Sequence, residues 1–594
     1  MSHKANPRDR PVNYIVFGLE TKVTSGGRMK YLTKLLICGL FLVALSGAAK
    51  AQTINAVTCN ASDVQAAINS APEGGTVTIP AGTCTWTSGV TISGKGIAVQ
   101  GAGTSRVIAV SSTPLTLGTG SQTLSVVGAD PGTTLAISAG TTLELEETGT
   151  ETNYMIGTVS AYNPATGSLT LDITSDGGSC GSNSLSNCSR WLVATVPAAV
   201  TTIVNDDPGT SGGLFNITED TSVNTSVSDL QVLSGTQGDG GTSMDNVFIL
   251  NYASGGQAIL LHDFRISENV NNTEPPSGNG SMIMSYTDRG VIWNATFDAA
   301  PYALSNLEAV YLKDQGNVTN AWTQPDNMGS LDTTGQYKMY IEDSDFHAML
   351  MGPSIDDNGR MVIRYSMFDN AGVGTHGADT SNYGQRYFEF YNNVGVFEGY
   401  SNGKTFNLNQ WIYMRGGTAI IYNNNLPAIN SQDYPNKPDI NMTVMNLQRS
   451  GGPNPCWGAG LASPSGQNYH APRQVGYGYV TGTGTASYTG ASPNPIYTVN
   501  GSDDSFTYVG DSDPVYIWGN SRSPLNIGIS DYGAGECTNP DTSANYLELN
   551  RDYFNGTTAR PGWSPYTYPH PLRGGSSSGT PPAPTGLTGA VTAP

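Results

Sequence analysis

Seven short segments in the middle of the chain share one pattern: VSDLQV from Val227, LHDFRI from Leu261, IWNATF from Ile292, IEDSDF from Ile341, IRYSMF from Ile363, FYNNVG from Phe390 and IYNNNL from Ile421. Each opens on an apolar residue and most carry another five positions later. The third position holds Asp229, Asp263, Asn294, Asp343, Tyr365, Asn392 and Asn423. Short strand-like units recurring at this kind of spacing cannot bury their apolar face alone and must stack as a solenoid. Stacking brings equivalent positions together, so Asn and Asp at a bend can hydrogen-bond from coil to coil and to turn backbones. The intervals are 34, 31, 49, 22, 27 and 31 residues. A minimal coil of about 22 residues with loops of varying length fits them, and the longest interval is read as concealing one extra coil.

The rest of the chain agrees with an all-β reading. It holds 73 glycines and 34 prolines in 594 residues and lacks long stretches of helical periodicity. One exception is SDVQAAINSA, where Ser62 or Asp63 is placed to cap and Val64, Ala67, Ile68 and Ala71 fall at helical spacing. GGTVTIPAGTCTW follows, a strand between turn residues. A short helix followed by Gly-rich strands resembles the capped N-terminal end of right-handed parallel β-helix proteins, the pectate-lyase-like superfamily of secreted carbohydrate-active proteins. The resemblance implies a β-helix over most of residues 52–573, with 52–109 as cap and first coils and 198–573 as the main solenoid and an irregular C-terminal cap. Between them, residues 110–197 alternate polar and apolar side chains around an NPATGS turn, the mark of antiparallel hairpins. This stretch resembles a small β module of bacterial surface and phage tail proteins and is read as an insertion. Residues 574–594 read as a Gly/Ser/Pro linker followed by a stretch that resembles the truncated start of a fibronectin type III domain.

Residues 1–51 are read as an N-terminal extension and signal peptide. Within them Lys30 and Lys34, the apolar run Leu35–Ala49 and the small residues of Ala49-Lys50-Ala51 have the parts of a secretory signal. That run is shorter than the roughly 20 residues a spanning helix needs. Export is expected, with no membrane contact once the signal is removed. The chain has 27 basic and 47 acidic residues, of which eight and two lie in residues 1–51, so the remainder carries 19 − 45 = −26. Phosphate binding needs clustered Lys and Arg, so nucleic acid is excluded as a general partner. Six cysteines remain after cleavage, and proximity favours Cys59–Cys84 and Cys180–Cys188, leaving Cys456–Cys537, one of 15 connectivities.

Side chains alternate along a strand, so if Ile341, Ile363, Phe390 and Ile421 point inward their neighbours point out. One outward row is then His262, Trp293, Glu342, Arg364, Tyr391 and Tyr422; a second is Leu260, Val291, Tyr340, Val362, Glu389 and Ile420; a third contains Arg289, Lys338, Arg360, Tyr387 and Thr418. Arg360 and Arg364 are expected to face solvent. Flat aromatic rings offer apolar faces to sugars, and Arg and carboxylate groups give directional hydrogen bonds. Ten of the 19 basic residues beyond residue 51 lie between Arg265 and Lys437, a local exception that suits an acidic polysaccharide. Ordinary exposed ion pairing of Glu342 with Arg364, contributing about 0.2–1 kcal/mol, is the plain alternative.

β-Elimination on a uronate polymer needs cations and a base. Lys338, Arg360, Arg364 and Arg386 can supply the first, and Lys338, Arg364, His376 or Tyr391 the second. Calcium bridged by Glu342, Asp343 or Glu389 could assist. Hydrolysis with inversion would instead use Glu342 and Glu389, if about 6.5–9.5 Å separates them. Trp293, Tyr340, Tyr387, Tyr422, Arg360, His262 and Arg415 complete the expected sugar-binding set. DDNGR at 356 and HG at 376 resemble the Asp pair and His-Gly of polygalacturonases, one coil apart. That family's Asn-Thr-Asp and Arg-Ile-Lys elements are missing and Asp356 reads as a turn residue, so no catalytic residue is carried over. The expectation is a secreted, monomeric polysaccharide lyase, with an inverting hydrolase or a non-catalytic carbohydrate-binding adhesin or tail-like protein as alternatives.

Overall fold

The computed structural model describes residues 52–128, 135, 137–148, 150–180, 188–206, 212–234, 246–268, 281–299, 308–313, 338–356, 359–376, 385–396, 408, 410–429, 437–443, 475–476, 485–486, 496–499, 506–510, 513–530 and 547–574. Its main body is a parallel β-helix. Each coil contributes to a first face, bends, continues along a second, and crosses to a third before rising to the next coil. On the first face Ile292 pairs with Leu261 on one side and Ile341 on the other, and the parallel register continues through Ile363, Phe390, Ile421 and Ile517. The third face is a parallel sheet running from Val90–Ile92 through Glu308–Lys313, Pro353–Asp356, Val373–Thr375 and Ile412–Met414 to Ile527–Ile529.

The repeated third position is the bend between the first two faces. Asp229, Asp263, Asn294, Asp343, Tyr365, Asn392 and Asn423 all sit at φ between 47° and 59°. Asn and Asp tolerate this left-handed conformation better than other side chains. They also bond between coils: Asn294 Nδ2 donates to Asp263 Oδ1 at 3.0 Å and Asn423 Nδ2 to Asn392 Oδ1 at 2.7 Å. A neighbouring buried ladder, one residue on, runs from Asn393 Nδ2 to Asn424 Oδ1 at 3.1 Å and Asn424 Nδ2 to Asn520 Oδ1 at 2.9 Å. Inside the coils Phe264, Phe297, Phe346, Phe368 and Phe390 stack with centroids 4.9 to 5.6 Å apart.

Trp293 pairs directly with Glu342. The 49-residue interval therefore conceals no coil on this face, contrary to the sequence expectation; the extra length falls between Lys313 and Lys338. The helix Ala61–Ser70 buries Val64, Ala67 and Ile68. Asn60, not Ser62 or Asp63, occupies the N-cap position; Asp63 lies in the first turn and accepts the Thr58 hydroxyl at 2.6 Å. Gln65 exchanges hydrogen bonds with both backbone groups of Thr91, which ties the helix to the first coils. Disulfides join Cys59 to Cys84 and Cys180 to Cys188; Cys456 and Cys537 lie outside the described residues.

An antiparallel sheet including Val107–Ser111, Thr142–Glu147, Thr150–Asn163, Ser168–Gly177 and Trp191–Thr195 leaves the coil after Ala98–Gln100, and the solenoid resumes at Thr201–Asn205. At this departure a Cβ on Gly101 would lie 2.0 Å from the Asp229 carbonyl oxygen, so only glycine fits. The sheet docks on the second face. Glu146 accepts both Arg265 Nη groups at 2.7 and 2.6 Å, and Arg190 pairs with the buried Asp369. Burial would raise the Asp369 carboxyl, but Arg190 and His347 hold it at about 2.

Candidate active site

The three predicted outward rows exist in the expected register. His262, Trp293, Glu342, Arg364, Tyr391 and Tyr422 are successive neighbours, as are Leu260, Val291, Tyr340, Val362, Glu389 and Ile420. Most of these side chains are not open to solvent. Arg360, Arg364, Glu342, Glu389, Tyr340, Tyr387, Tyr391, Lys338, Arg386 and Trp293 are all buried, which corrects the expectation that Arg360 and Arg364 face water. Part of the physical reason lies more than 200 residues downstream. After pairing with Val515–Trp518, the strand Tyr553–Gly556 leads into a segment that doubles back across the middle of the face. Trp563 meets Trp518, Tyr422 and Tyr391, Tyr568 stacks on Tyr365 at 3.7 Å, His570 lies 4.4 Å from Tyr340, and Arg573 lies over Trp293.

Beneath this strap the charges are consumed internally. Arg364 donates to Glu342 Oε1 at 2.8 Å, to the Tyr391 hydroxyl at 2.7 Å and to the carbonyls of Tyr566 and Thr567 at 2.7 Å each. Glu342 Oε2 accepts from Arg573 at 2.9 Å and from the His570 backbone N–H at 3.1 Å. Burial pushes the Glu342 carboxyl up, and the Arg364 and Arg573 guanidinium groups overcome this and leave it below the ordinary carboxylate range. Burial raises the Tyr391 hydroxyl well above its usual range, a poor base. Asp343 accepts the Tyr568 hydroxyl at 2.5 Å and pairs with Arg573. A cation bridged by Glu342 and Asp343 would have to displace all of these donors. In the neighbouring rows Lys338 Nζ lies 3.2 Å from Glu389 Oε1, which also accepts the Tyr387 hydroxyl at 2.7 Å, and Arg386 lies 3.8 Å from Asp513. The partly exposed His262 stacks on Trp293 at 4.1 Å.

A second cluster forms on the third face, with Lys313, Asp356, His376 and Arg415 at or just past the C-terminal ends of their strands and Glu308 at the start of its strand. Lys313 pairs with Asp356 in register, and the pairings Ile355–Thr375 and Gly374–Tyr413 carry the same level through His376 to Arg415. Asp356 is thus the last residue of a strand, not a turn residue. Its Oδ2 accepts the Tyr311 hydroxyl at 2.8 Å and lies 3.9 Å from Lys313 Nζ. His376 Nε2 lies 3.4 Å from Glu308 Oε1, and Arg415 Nη2 lies 2.8 Å from His376 Nδ1. Arginine only donates, so Nδ1 accepts and the ring proton sits on Nε2, facing Glu308. Burial pushes the Glu308 carboxyl up to about 8; Asp356 adds to the rise, while Arg415 and Lys313 oppose it. Lys313 and His376 keep 25% and 13% of their side chains exposed, while Glu308 and Asp356 are buried.

The sequence singled out His376 and Arg415, and the structure brings them together. It also set Asp356 aside and missed Glu308, Tyr311 and Lys313. Alternation within EAVYLK, which ends where the longest interval's extra residues begin, puts Tyr311 and Lys313 on one side, but it gives Glu308 the phase of the core residues Val310 and Leu312, so no sequence signal marked Glu308. A neutral carboxylic acid beside a second carboxyl group, with an imidazole and two cations around them, can donate a proton, accept one and hold an anionic group.

No family model matches the chain, and no curated protein is similar to it. Among solved structures it is similar to ORF18 of Geobacillus virus E2 at 12% identity, covering 63% of this chain and 62% of that one with a TM-score of 0.19. It is also similar to the family 28 exopolygalacturonase of Yersinia enterocolitica at 13% identity, covering 68% and 67% with a TM-score of 0.18. A third is the receptor-binding tailspike of bacteriophage Det7, at 9% identity, covering 68% and 75% with a TM-score of 0.16. The parallel coil stands on the strand registers themselves.

Proposed function

We propose that this chain is an exported polysaccharide-cleaving enzyme whose acid–base chemistry is carried by Glu308 and Asp356 on the third face. The observation that carries the reading is the Glu308 carboxyl, held protonated near neutral pH beside Asp356 and His376. Glycoside hydrolysis needs such an acid to protonate the leaving oxygen, and a second carboxylate to activate water or attack the sugar. In this reading Glu308 is the acid and Asp356 the second carboxylate. Tyr311 orients Asp356, and His376 connects Glu308 to Arg415. Lys313 and Arg415 give the site the positive character that a uronate polymer requires. The lyase expectation relied on open cations and a base on the first face. There Arg364 and Glu342 satisfy each other and Tyr391 is held protonated, so hydrolysis becomes the first choice. The signal-like segment at residues 29–52 and the two disulfides support export.

The test is incubation of the mature protein with polygalacturonate, alginate and glycosaminoglycans, following reducing ends and absorbance near 235 nm, where unsaturated uronates absorb. Reducing ends without that absorbance are expected. Glu308→Gln and Asp356→Asn should each lower the rate by roughly 10²–10⁴-fold with the circular dichroism spectrum unchanged. Absorbance at 235 nm would return the chemistry to β-elimination. Retention on a polymer without cleavage would leave a binding protein.

A further inference from the structure

The strap over the first face contains a histidine whose bonding admits only one protonation state. His570 is buried, and its Nδ1 accepts the Leu572 backbone N–H at 3.1 Å, capping the short helical turn Pro571–Arg573. An accepting Nδ1 carries no proton, so the neutral ring holds its hydrogen on Nε2. That Nε2 is buried with no hydrogen-bond partner among the described residues. A second proton would have to go to Nδ1, where it breaks the cap, and it would place a full positive charge in an enclosed space.

The surroundings decide whether that charge is tolerated. Tyr340 from the first face and Tyr566 from the strap lie against the ring, and the charges of Glu342 and Arg364 from the first face and of Arg573 from the strap act on it. Among the described residues Glu342 is the anion whose field raises the imidazole, and it is already committed to Arg364, Arg573 and the His570 backbone N–H. Two guanidinium groups oppose it. The same groups also fasten the strap, through Arg364 to the carbonyls of Tyr566 and Thr567 and through Arg573 to Glu342 and Asp343.

We propose that residues 563–573 form an acid-released latch: protonation of His570 undocks the strap and uncovers the strip of Trp293, Tyr340, Glu342, Arg364 and Tyr391 beneath it.

Burial, reinforced by the two arginines, depresses the docked imidazole to about 4 from its ordinary 6.5. The sign follows from linkage. Below 6.5 the released histidine takes up a proton that the docked one refuses, so docking weakens progressively as pH falls from 6.5 to 4 and is constant below that. With these two values the undocking constant rises about 20-fold between pH 7 and pH 5. The released strip combines aromatic faces with an Arg–Glu pair, a surface suited to sugar rings. The latch does not depend on where cleavage occurs.

The test is hydrogen exchange of the full chain read by mass spectrometry at pH 7 and pH 5, corrected for the intrinsic pH dependence of exchange. Peptides from 560–574 should exchange about 20-fold faster at pH 5, while Pro353–Asp356 and Ile440–Met442 on the third face keep their protection. His570→Gln, whose amide oxygen can still accept from Leu572, should abolish the difference. Equal exchange at both pH values, or a full acid response in His570→Gln, overturns the proposal. Should that variant not fold, an NMR titration of His570 in the unaltered protein decides: a midpoint between 4 and 6.5, with the strap's signals changing at the same pH, is expected, and a midpoint near 6.5 or a titration that leaves the strap's signals unchanged overturns it.

Discussion

Replacing Arg364 by Met distinguishes an exposed ion pair from a sealed one. Methionine keeps much of the packing against Tyr340 and Tyr391 but removes every charged hydrogen bond the guanidinium makes. Glu342 would then retain Arg573 and the His570 N–H, and the carbonyls of Tyr566 and Thr567 would lose the guanidinium's hydrogen bonds. Were the pair on an open surface, its loss would cost about 0.2–1 kcal/mol. Removing one partner of a buried pair costs about 3–5 kcal/mol, because the other charge stays out of water without full compensation. Both side chains are fully buried here, so Arg364→Met should fall in the larger range. The Tyr566 and Thr567 carbonyls can regain water if the strap lifts, which limits any further loss. Urea unfolding gives the value from the midpoint, provided the slope is unchanged. Adding Glu342→Gln should recover part of the loss, with a coupling of about 0.5–3 kcal/mol. A cost below about 1 kcal/mol for Arg364→Met, or strict additivity in the double variant, would refute the sealed face.

If Glu308 is the acid, kcat/KM should fall as pH rises through about 8, because the proton it must donate is lost there, and Glu308→Gln should remove that limb from the pH–rate profile. Arg190→Met should cost about 3–5 kcal/mol by leaving Asp369 buried without its cation; a loss under 1 kcal/mol in urea unfolding would show that the inserted sheet does not need this contact. Asp369, held at about 2 by Arg190 and His347, contributes stability that is present above the ordinary 3.8 and lost as pH falls towards 2. Arg190→Met should therefore flatten the acid limb of a stability–pH curve.

The solenoid was legible because its bend imposes a backbone requirement on one residue per coil. Asp229 through Asn423 announce that requirement in the sequence, and alternation on either side then fixes which side chains point outward. Register followed from the same logic, down to the pairing of Glu342 with Arg364. Exposure did not follow, because parity says which way a side chain points and not what lies above it. Trp563, Tyr566, Tyr568 and Arg573 belong to no repeat and come from a part of the chain with no periodicity. Glu308 and Lys313 were illegible for a related reason: the third face carries no marked residue like the bend, so its coils cannot be aligned from sequence. His376 stood out through its His-Gly pair one coil beyond Asp356, and Arg415 as a basic residue in an acidic chain.

In a stacked array each unit touches only its immediate neighbours, so such molecules can fray from either end and melt piecemeal. The C-terminal segment breaks that rule. From Trp563 against Trp518, Tyr422 and Tyr391, through Arg364, to Arg573 against Glu342 and Trp293, it contacts six successive coils. Those coils are bound into one cooperative block, in which losing any single rung loosens the clamp on all the others. The coils before Trp293 lie outside this clamp, and among the described residues the inserted sheet joins them to the block, through Glu146 on Arg265 and Arg190 on Asp369.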